Sequence, residues 1–173
     1  MENERKTDRS ADMGMDEHRL SDILLASQIK ATDIYETPPQ IIWIDNSTIA
    51  TLGNFSASTG KAKSKKTFNV SALVAASLAG KQVLNYRAHL PEGKQRILYV
   101  DTEQSRFHCR SVLERILRLA GLPTTTDPEN LDFFCLREYS PSVRVEVIDY
   151  ALRQNKGYGL VIIDGIRDLM LDI

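Results

Sequence analysis

Gly60-Lys61-Ala62-Lys63-Ser64-Lys65-Lys66-Thr67 is the stretch on which the reading of this chain turns. After it, Thr67 to Ala79 carries Phe68, Val70, Leu73, Val74 and Leu78. That pattern is a helix apolar nearly all round, hence buried, with Gly80 as its C-cap. Before it, Thr48 to Ser56 reads as a strand. A glycine- and lysine-bearing loop between a strand and a buried helix can form an anion site. Successive backbone N–H groups and the helix N-terminus make a concave, electropositive cradle, and a lysine adds a point charge. The octad follows the pattern G-x-x-x-x-G-K-[ST] at Gly60, Lys66 and Thr67. Lys66 takes the lysine role toward β- and γ-phosphates, and the Thr67 hydroxyl is placed to hold Mg²⁺. The residues expected to line the cradle are Gly60, Lys61, Ala62, Lys63, Ser64, Lys65, Lys66, Thr67 and Phe68.

Lys65 stands where the pattern has its second glycine. If the backbone there is helical the exchange is tolerable; if φ is positive it costs roughly 1 kcal/mol or more. Lys61, Lys63, Lys65 and Lys66 concentrate positive charge at the same place, which partly offsets the loss. The bland alternative is a lysine-rich surface loop that binds nothing, and what weighs against it lies downstream.

Leu160-Val161-Ile162-Ile163-Asp164 is an apolar strand ending in an acid, the arrangement that sets a carboxylate beside a phosphate loop to hold Mg²⁺. Asp164-Gly165 is also a plain turn signal. Val100-Asp101-Thr102-Glu103 ends another strand. With Asp101 still in the strand, Glu103 falls in the crevice beyond it, where a carboxylate can orient or deprotonate a water. The competing reading of Glu103 is a solvated loop acid. Gln104 and Ser105 either help to orient that water or cap the next helix.

The remaining elements alternate. Ile41 to Ile44 reads as a strand and Asp45-Asn46-Ser47 as a turn. Val83 to His89 and Arg96 to Thr102 read as a hairpin around Pro91-Glu92-Gly93-Lys94, the second strand apolar enough to be covered on both faces. Ser105 to Ala120 is an amphipathic helix with Val112, Leu113, Ile116, Leu117 and Ala120 inward, ended by Gly121 and Pro123. Leu131 to Leu136 is a buried strand, and Ser140-Pro141 opens a last helix through Leu152. Strands alternating with helices make an α/β domain with a mostly parallel sheet and flanking helices. Upstream, residues 1–17 are polar and aperiodic and are expected to be a disordered tail. Residues 18–39 hold a short amphipathic helix around Leu20, Ile23, Leu24 and Ser27 and a Pro38-Pro39 linker, and 40–173 form the main domain.

Bulk properties exclude several classes. Of 173 residues, 42% are hydrophobic and 26% charged, which suits a soluble globular domain. A net charge of −1 gives no chain-wide nucleic-acid signature. Cys109 and Cys135 have neither metal-ligand nor C-x-x-C spacing and read as reduced core thiols. No stretch reads as a membrane span or signal peptide, so the expected location is cytoplasmic.

The altered phosphate loop, the D-T-E strand end and the I-I-D strand end together resemble RecA-like P-loop ATPases. More narrowly they are similar to the AAA-type, RepA-helicase-like ATPases of bacterial plasmids and mobilisable elements. The resemblance runs from about Pro39 to Ile173. It implies Lys66 and Thr67 as the P-loop pair, Asp164 as the Walker B acid holding Mg²⁺, and Glu103 as the catalytic base. It also implies ATP and Mg²⁺ as cofactors, with DNA and further copies of the chain in a ring as candidate partners, and no membrane. The implied function is an ATP-binding and ATP-hydrolysing module of a DNA-processing ATPase. Full RecA-like cores continue beyond Walker B with at least two more strands, one carrying a polar sensor residue. The core is therefore expected to be C-terminally incomplete, as a fragment or truncated reading frame. The sheet closing differently, or a partner supplying the strand, are the other ways to meet that expectation. Lys65 and the missing sensor strand also keep open a non-catalytic nucleotide-binding or remnant protein. Arg137, Arg144 and Arg167 are available as an arginine finger, but each reads better as a solvated surface residue.

Overall fold

A computed structural model describes residues 17–61 and 65–170. The tail, the expected loop residues Ala62, Lys63 and Ser64, and residues 171–173 lie outside the described residues. The chain divides into two compact units, Met1–Thr37 and Pro38–Ile173. The first contains helix α1, Glu17–Ser27. Its Leu20, Ile23 and Leu24 are exposed.

The second unit holds two sheets of three strands each. Strands β1 (Gln40–Ile44), β2 (Ser47–Thr51) and β3 (Tyr86–Ala88) form an antiparallel sheet in the order β2-β1-β3. Asp45, in left-handed backbone at φ 51, makes the β1–β2 turn, a conformation an aspartate side chain tolerates. Strands β4 (Arg96–Asp101), β5 (Leu131–Cys135) and β6 (Tyr158–Asp164) form a parallel sheet in the order β5-β4-β6. Helices α2 (Lys66–Ala79), α3 (Arg106–Ala120) and α4 (Pro141–Gln154) complete the unit.

Alternation along β4 explains the layering. Ile97 and Tyr99 pack with Ala72, Ala75 and Ala76 of α2 and Val112 and Ile116 of α3 in one core. Leu98 and Val100 point the other way, to Leu136 and to Ile148 of α4. Both faces of the parallel sheet are thus covered, and five successive residues of β4, Ile97 to Asp101, are buried. An uninterrupted apolar strand is what such two-sided burial requires.

Two expectations need correction. The two strands expected as a hairpin over residues 83–102 do not pair with each other: β3 pairs with β1, while β4 pairs with β5 and β6. The Pro91–Lys94 turn, closed by Lys94 N–H donating to the Pro91 carbonyl at 3.0 Å, connects two different sheets. The periodicities already differ, since β3 alternates buried and exposed while β4 does not. The strand expected over Thr48 to Ser56 also stops at Thr51 and lies in the antiparallel sheet. Gly53, at φ 82, turns the chain, and Ser56 Oγ donates back to the Ile49 carbonyl at 2.8 Å. Phe55 is left exposed, so nothing anchors a further apolar strand before the loop.

Candidate functional site

The carboxyl ends of β4 and β6 lie side by side, with Asp101 opposite Asp164 in register. The N-terminus of α2 reaches the same place. The Thr67 hydroxyl donates to Asp164 Oδ2 at 3.3 Å across 97 residues of sequence. The buried face of α2 forces this approach: Ala72, Val74, Ala75 and Ala76 have no exposed surface and lock the helix onto the sheet. Packing of small residues lets the backbone come close, and the first turn then overhangs the strand ends.

That first turn is suited to an anion. The helix has no side-chain cap hydrogen bond and no acidic residue in its first turn. Lys65 occupies the N-cap, its carbonyl accepting from the N–H groups of Phe68 at 3.0 Å and Asn69 at 3.1 Å. The earlier N–H groups, of Lys66 and Thr67, precede the helix's internal ladder and point along its axis with the positive end of the dipole. Lys65, Lys66 and Phe68 are exposed there, and Thr67 is half-buried. Lys65 has φ 59 and ψ 26, so the backbone at the replaced glycine is left-handed. A positive φ is the costly case for a residue with a Cβ.

The D-T-E turn is built from the inside. Asp101 is fully buried, and its Oδ1 accepts from the N–H groups of Glu103 at 3.0 Å and Gln104 at 2.8 Å. Its Oδ2 accepts from Gln104 Nε2 at 2.8 Å. Asp101 is therefore consumed in shaping the turn, and Glu103 is the exposed acid of the pair. Gln104 serves the turn, and Ser105 is the N-cap residue of α3 with its hydroxyl beside His108 Nδ1 at 2.9 Å.

Thr102, also buried, ties this turn to the end of β6. Its N–H donates to the Asp164 carbonyl at 3.1 Å, and its hydroxyl lies 2.8 Å from the Gly165 carbonyl. Gly165, at φ 101, has no room for a side chain: a Cβ there would strike Thr102 Oγ1 and come within 2.7 Å of Glu103 Cγ. The Glu103 side chain thus rests on the backbone that follows Asp164.

Tyr99 adds a second donor to Asp164, its hydroxyl lying 3.1 Å from the same Oδ2. Burial, then the nearby Asp164 carboxylate, raise its pKa far above the ordinary tyrosine value, so the phenol stays a donor. Thr102, Tyr99 and the conformational demand at Gly165 were not singled out from sequence. The one polar atom in the apolar run Ile97–Val100 was the available signal for Tyr99, because a buried phenol needs a partner.

Arg144 differs from the solvated arginine expected. Its guanidinium donates to the carbonyls of Leu136 at 3.0 Å, Asp168 at 2.8 Å and Arg137 at 2.7 Å. It pins α4 to the segments after β5 and β6, each guanidinium nitrogen donating to a backbone carbonyl. Arg137 and Arg167 are exposed. Cys109 and Cys135 are free thiols that both donate to the Gln104 carbonyl, at 3.7 and 3.4 Å. Burial pushes the Cys109 thiol up, which keeps it protonated and unreactive.

The oxygen donors at Thr67 and Asp164 suit a hard cation. No group of three or more His, Cys, Asp or Glu gathers among the described residues. Such a site fits an ion that takes one or two protein ligands and fills its shell with phosphate and water oxygens, as Mg²⁺ does. Among the described residues no helix is long and apolar enough to cross a membrane.

A parallel sheet with helices on both faces, a helix N-terminus at its carboxyl edge and two acidic strand ends beside it define a P-loop nucleoside-triphosphatase type of core. The model of the AAA domain family matches residues 20–172, and the chain belongs to that family of AAA-type P-loop ATPases. The match makes the domain an ATP-binding module by class. Among curated proteins and among solved structures, none matches significantly.

Proposed function

We propose that this AAA domain binds ATP with Mg²⁺ at the first turn of α2 and hydrolyses it. The observation that carries the reading is the Thr67 hydroxyl 3.3 Å from the Asp164 carboxylate, at the mouth of an uncapped helix N-terminus. Two residues so distant in sequence meet there although neither needs the other for core packing.

The roles follow from position. The N–H groups of the first turn of α2 and the Lys66 ammonium hold the terminal phosphates. Ala62, Lys63 and Ser64, with Gly60 and Lys61, complete the cradle in this reading. Thr67 and Asp164 hold the cation, which when bound neutralises charge developing on the phosphate oxygens. Glu103 takes the proton of the attacking water, with the Asp101 turn and the Gly165 backbone fixing where its carboxylate can reach.

Lys66→Ala is expected to abolish Mg²⁺-dependent ATP binding, measured by titration with a fluorescent ATP analogue. Glu103→Gln is expected to keep binding and lower turnover by about 10²-fold or more. Retained binding in the first variant refutes the site; undiminished turnover in the second refutes the base.

Left-handed backbone at a lysine favours a second reading, a nucleotide-binding domain without turnover. Binding with no detectable hydrolysis in the unsubstituted chain selects it. The finer assignment, a replication- or mobilisation-associated DNA motor acting as a ring, rests on the resemblance to the RepA-helicase-like ATPases. Hydrolysis stimulated by single- or double-stranded DNA, together with an oligomer in solution, is the outcome expected of such a motor.

A further inference from the structure

We propose that Tyr99 is a positioning residue for the cation site, holding Asp164 in the rotamer that presents its second carboxylate oxygen to Mg²⁺. The inference rests on the nucleotide-site reading above and adds to it a residue outside the loop and the two acidic strand ends.

Tyr99 has no exposed surface, and its ring is stacked on Phe133 of β5 at 4.4 Å with an interplanar angle of 8°. Parallel register sets Tyr99 opposite Ile162, two residues before Asp164 on the neighbouring strand. Its phenol therefore extends along the sheet face toward the carboxyl edge and ends 3.1 Å from Asp164 Oδ2. Thr67 Oγ1 reaches the same oxygen from the opposite element, α2, at 3.3 Å. Two donors from two elements converge on Oδ2, and Oδ1 is left out of both contacts.

A carboxylate at a strand end can otherwise rotate about its last two bonds, and each rotamer presents a different edge. Were Mg²⁺ held there, the Thr67 hydroxyl would ligate it through a lone pair and could still donate to Asp164, but from a position that the cation sets. The Tyr99 contact need not change, because the phenol is anchored by its stack and lies outside the phosphate loop. Tyr99 is then the described donor to Asp164 whose position does not depend on the cation. Hydrogen bonds behind a metal ligand commonly change metal affinity by about 10–100-fold when removed.

Tyr99→Phe keeps the ring and its stack and deletes only the hydroxyl. The test measures binding of a fluorescent ATP analogue to the full chain as Mg²⁺ is titrated, and again in EDTA. The expected result is a rise of about tenfold or more in the Mg²⁺ concentration for half-saturation, with binding in EDTA unchanged. Phe133→Leu is the control: it loosens the same packing but leaves the hydroxyl, and it should lower the melting temperature while moving the Mg²⁺ midpoint clearly less than Tyr99→Phe does.

An unmoved Mg²⁺ midpoint in Tyr99→Phe overturns the proposal, as does an equal shift in Phe133→Leu, since either makes Tyr99 a packing residue only. Failure of the unsubstituted chain to bind the analogue at all overturns the nucleotide-site reading and this inference together. Binding that Lys66→Ala abolishes but Tyr99→Phe leaves equally Mg²⁺-dependent overturns this inference alone.

Discussion

Lys65 is where local chemistry and expected function meet most sharply. Left-handed backbone costs a residue with a Cβ about 1–2 kcal/mol, while glycine returns about 0.4–1 kcal/mol through the freedom of the unfolded chain. Lys65→Gly is therefore expected to stabilise the domain by up to about 1 kcal/mol, read as a higher denaturant midpoint. A loss of stability would mean that the lysine side chain makes compensating contacts. A strong gain in nucleotide affinity in the same variant would mark the lysine as damage to the loop. Asp101 offers a second test. Its removal in Asp101→Ala leaves buried N–H donors without their acceptor and should cost about 3 kcal/mol. Asp101→Asn keeps an oxygen for those N–H groups, and Gln104 can turn its amide to match, so both stability and turnover should be largely retained. Turnover lost in the folded Asn variant would instead assign Asp101 a direct chemical role.

Among the elements, β6 is held at both ends by side-chain hydrogen bonds to its neighbours. At its start, Tyr158 donates to Asp132 Oδ2 at 2.6 Å, and Arg96 bonds both oxygens of the same carboxylate. Burial, then the Asp132 hydrogen bond, push the Tyr158 pKa from its ordinary 10.0 up to about 12. A raised folded-state value means that this group's stabilisation is complete below pH 10 and is lost as pH rises from about 10 to 12. Melting temperature should fall across that window, and less steeply in Tyr158→Phe; equal slopes would refute the linkage. At its other end, β6 is tied through Asp164 to Tyr99 and Thr67 and through its last carbonyl to Thr102. The helices were the more legible elements. Gly80, Ser105, Gly121 and Ser140 are local signals that fall at the cap positions, the two glycines in left-handed backbone, although neither serine hydroxyl caps its helix. Strand partners were not legible for residues 83–102, because pairing depends on which sheet a strand joins.

For the molecule as a whole, the central position of β4 makes a prediction about cooperativity. It is buried on both faces and paired on both edges, whereas β2 is a partly exposed edge strand of the antiparallel sheet. Amides of Leu98 to Val100 should exchange with solvent most slowly and report global unfolding, and those of Ser47 to Thr51 should exchange sooner through local opening. Equal protection of the two strands would contradict this ranking. By itself the sequence determined the α/β class and the buried helix that begins at Lys66, and it singled out Lys66-Thr67, Glu103 and Asp164 as candidate site residues. These are readable because apolar period, capping and an acid at a strand end are properties of neighbours along the chain. Only the tertiary structure decided that residues 83–102 serve two sheets, and that the strand before the loop is antiparallel. It also decided that Lys65 is left-handed and that Tyr99, Thr102 and Gly165 belong to the same place as Asp164. Those facts depend on which distant backbones meet, and the energy of that meeting is spread over packed residues such as Ala72 and Ala75, whose local sequence says only that they are small.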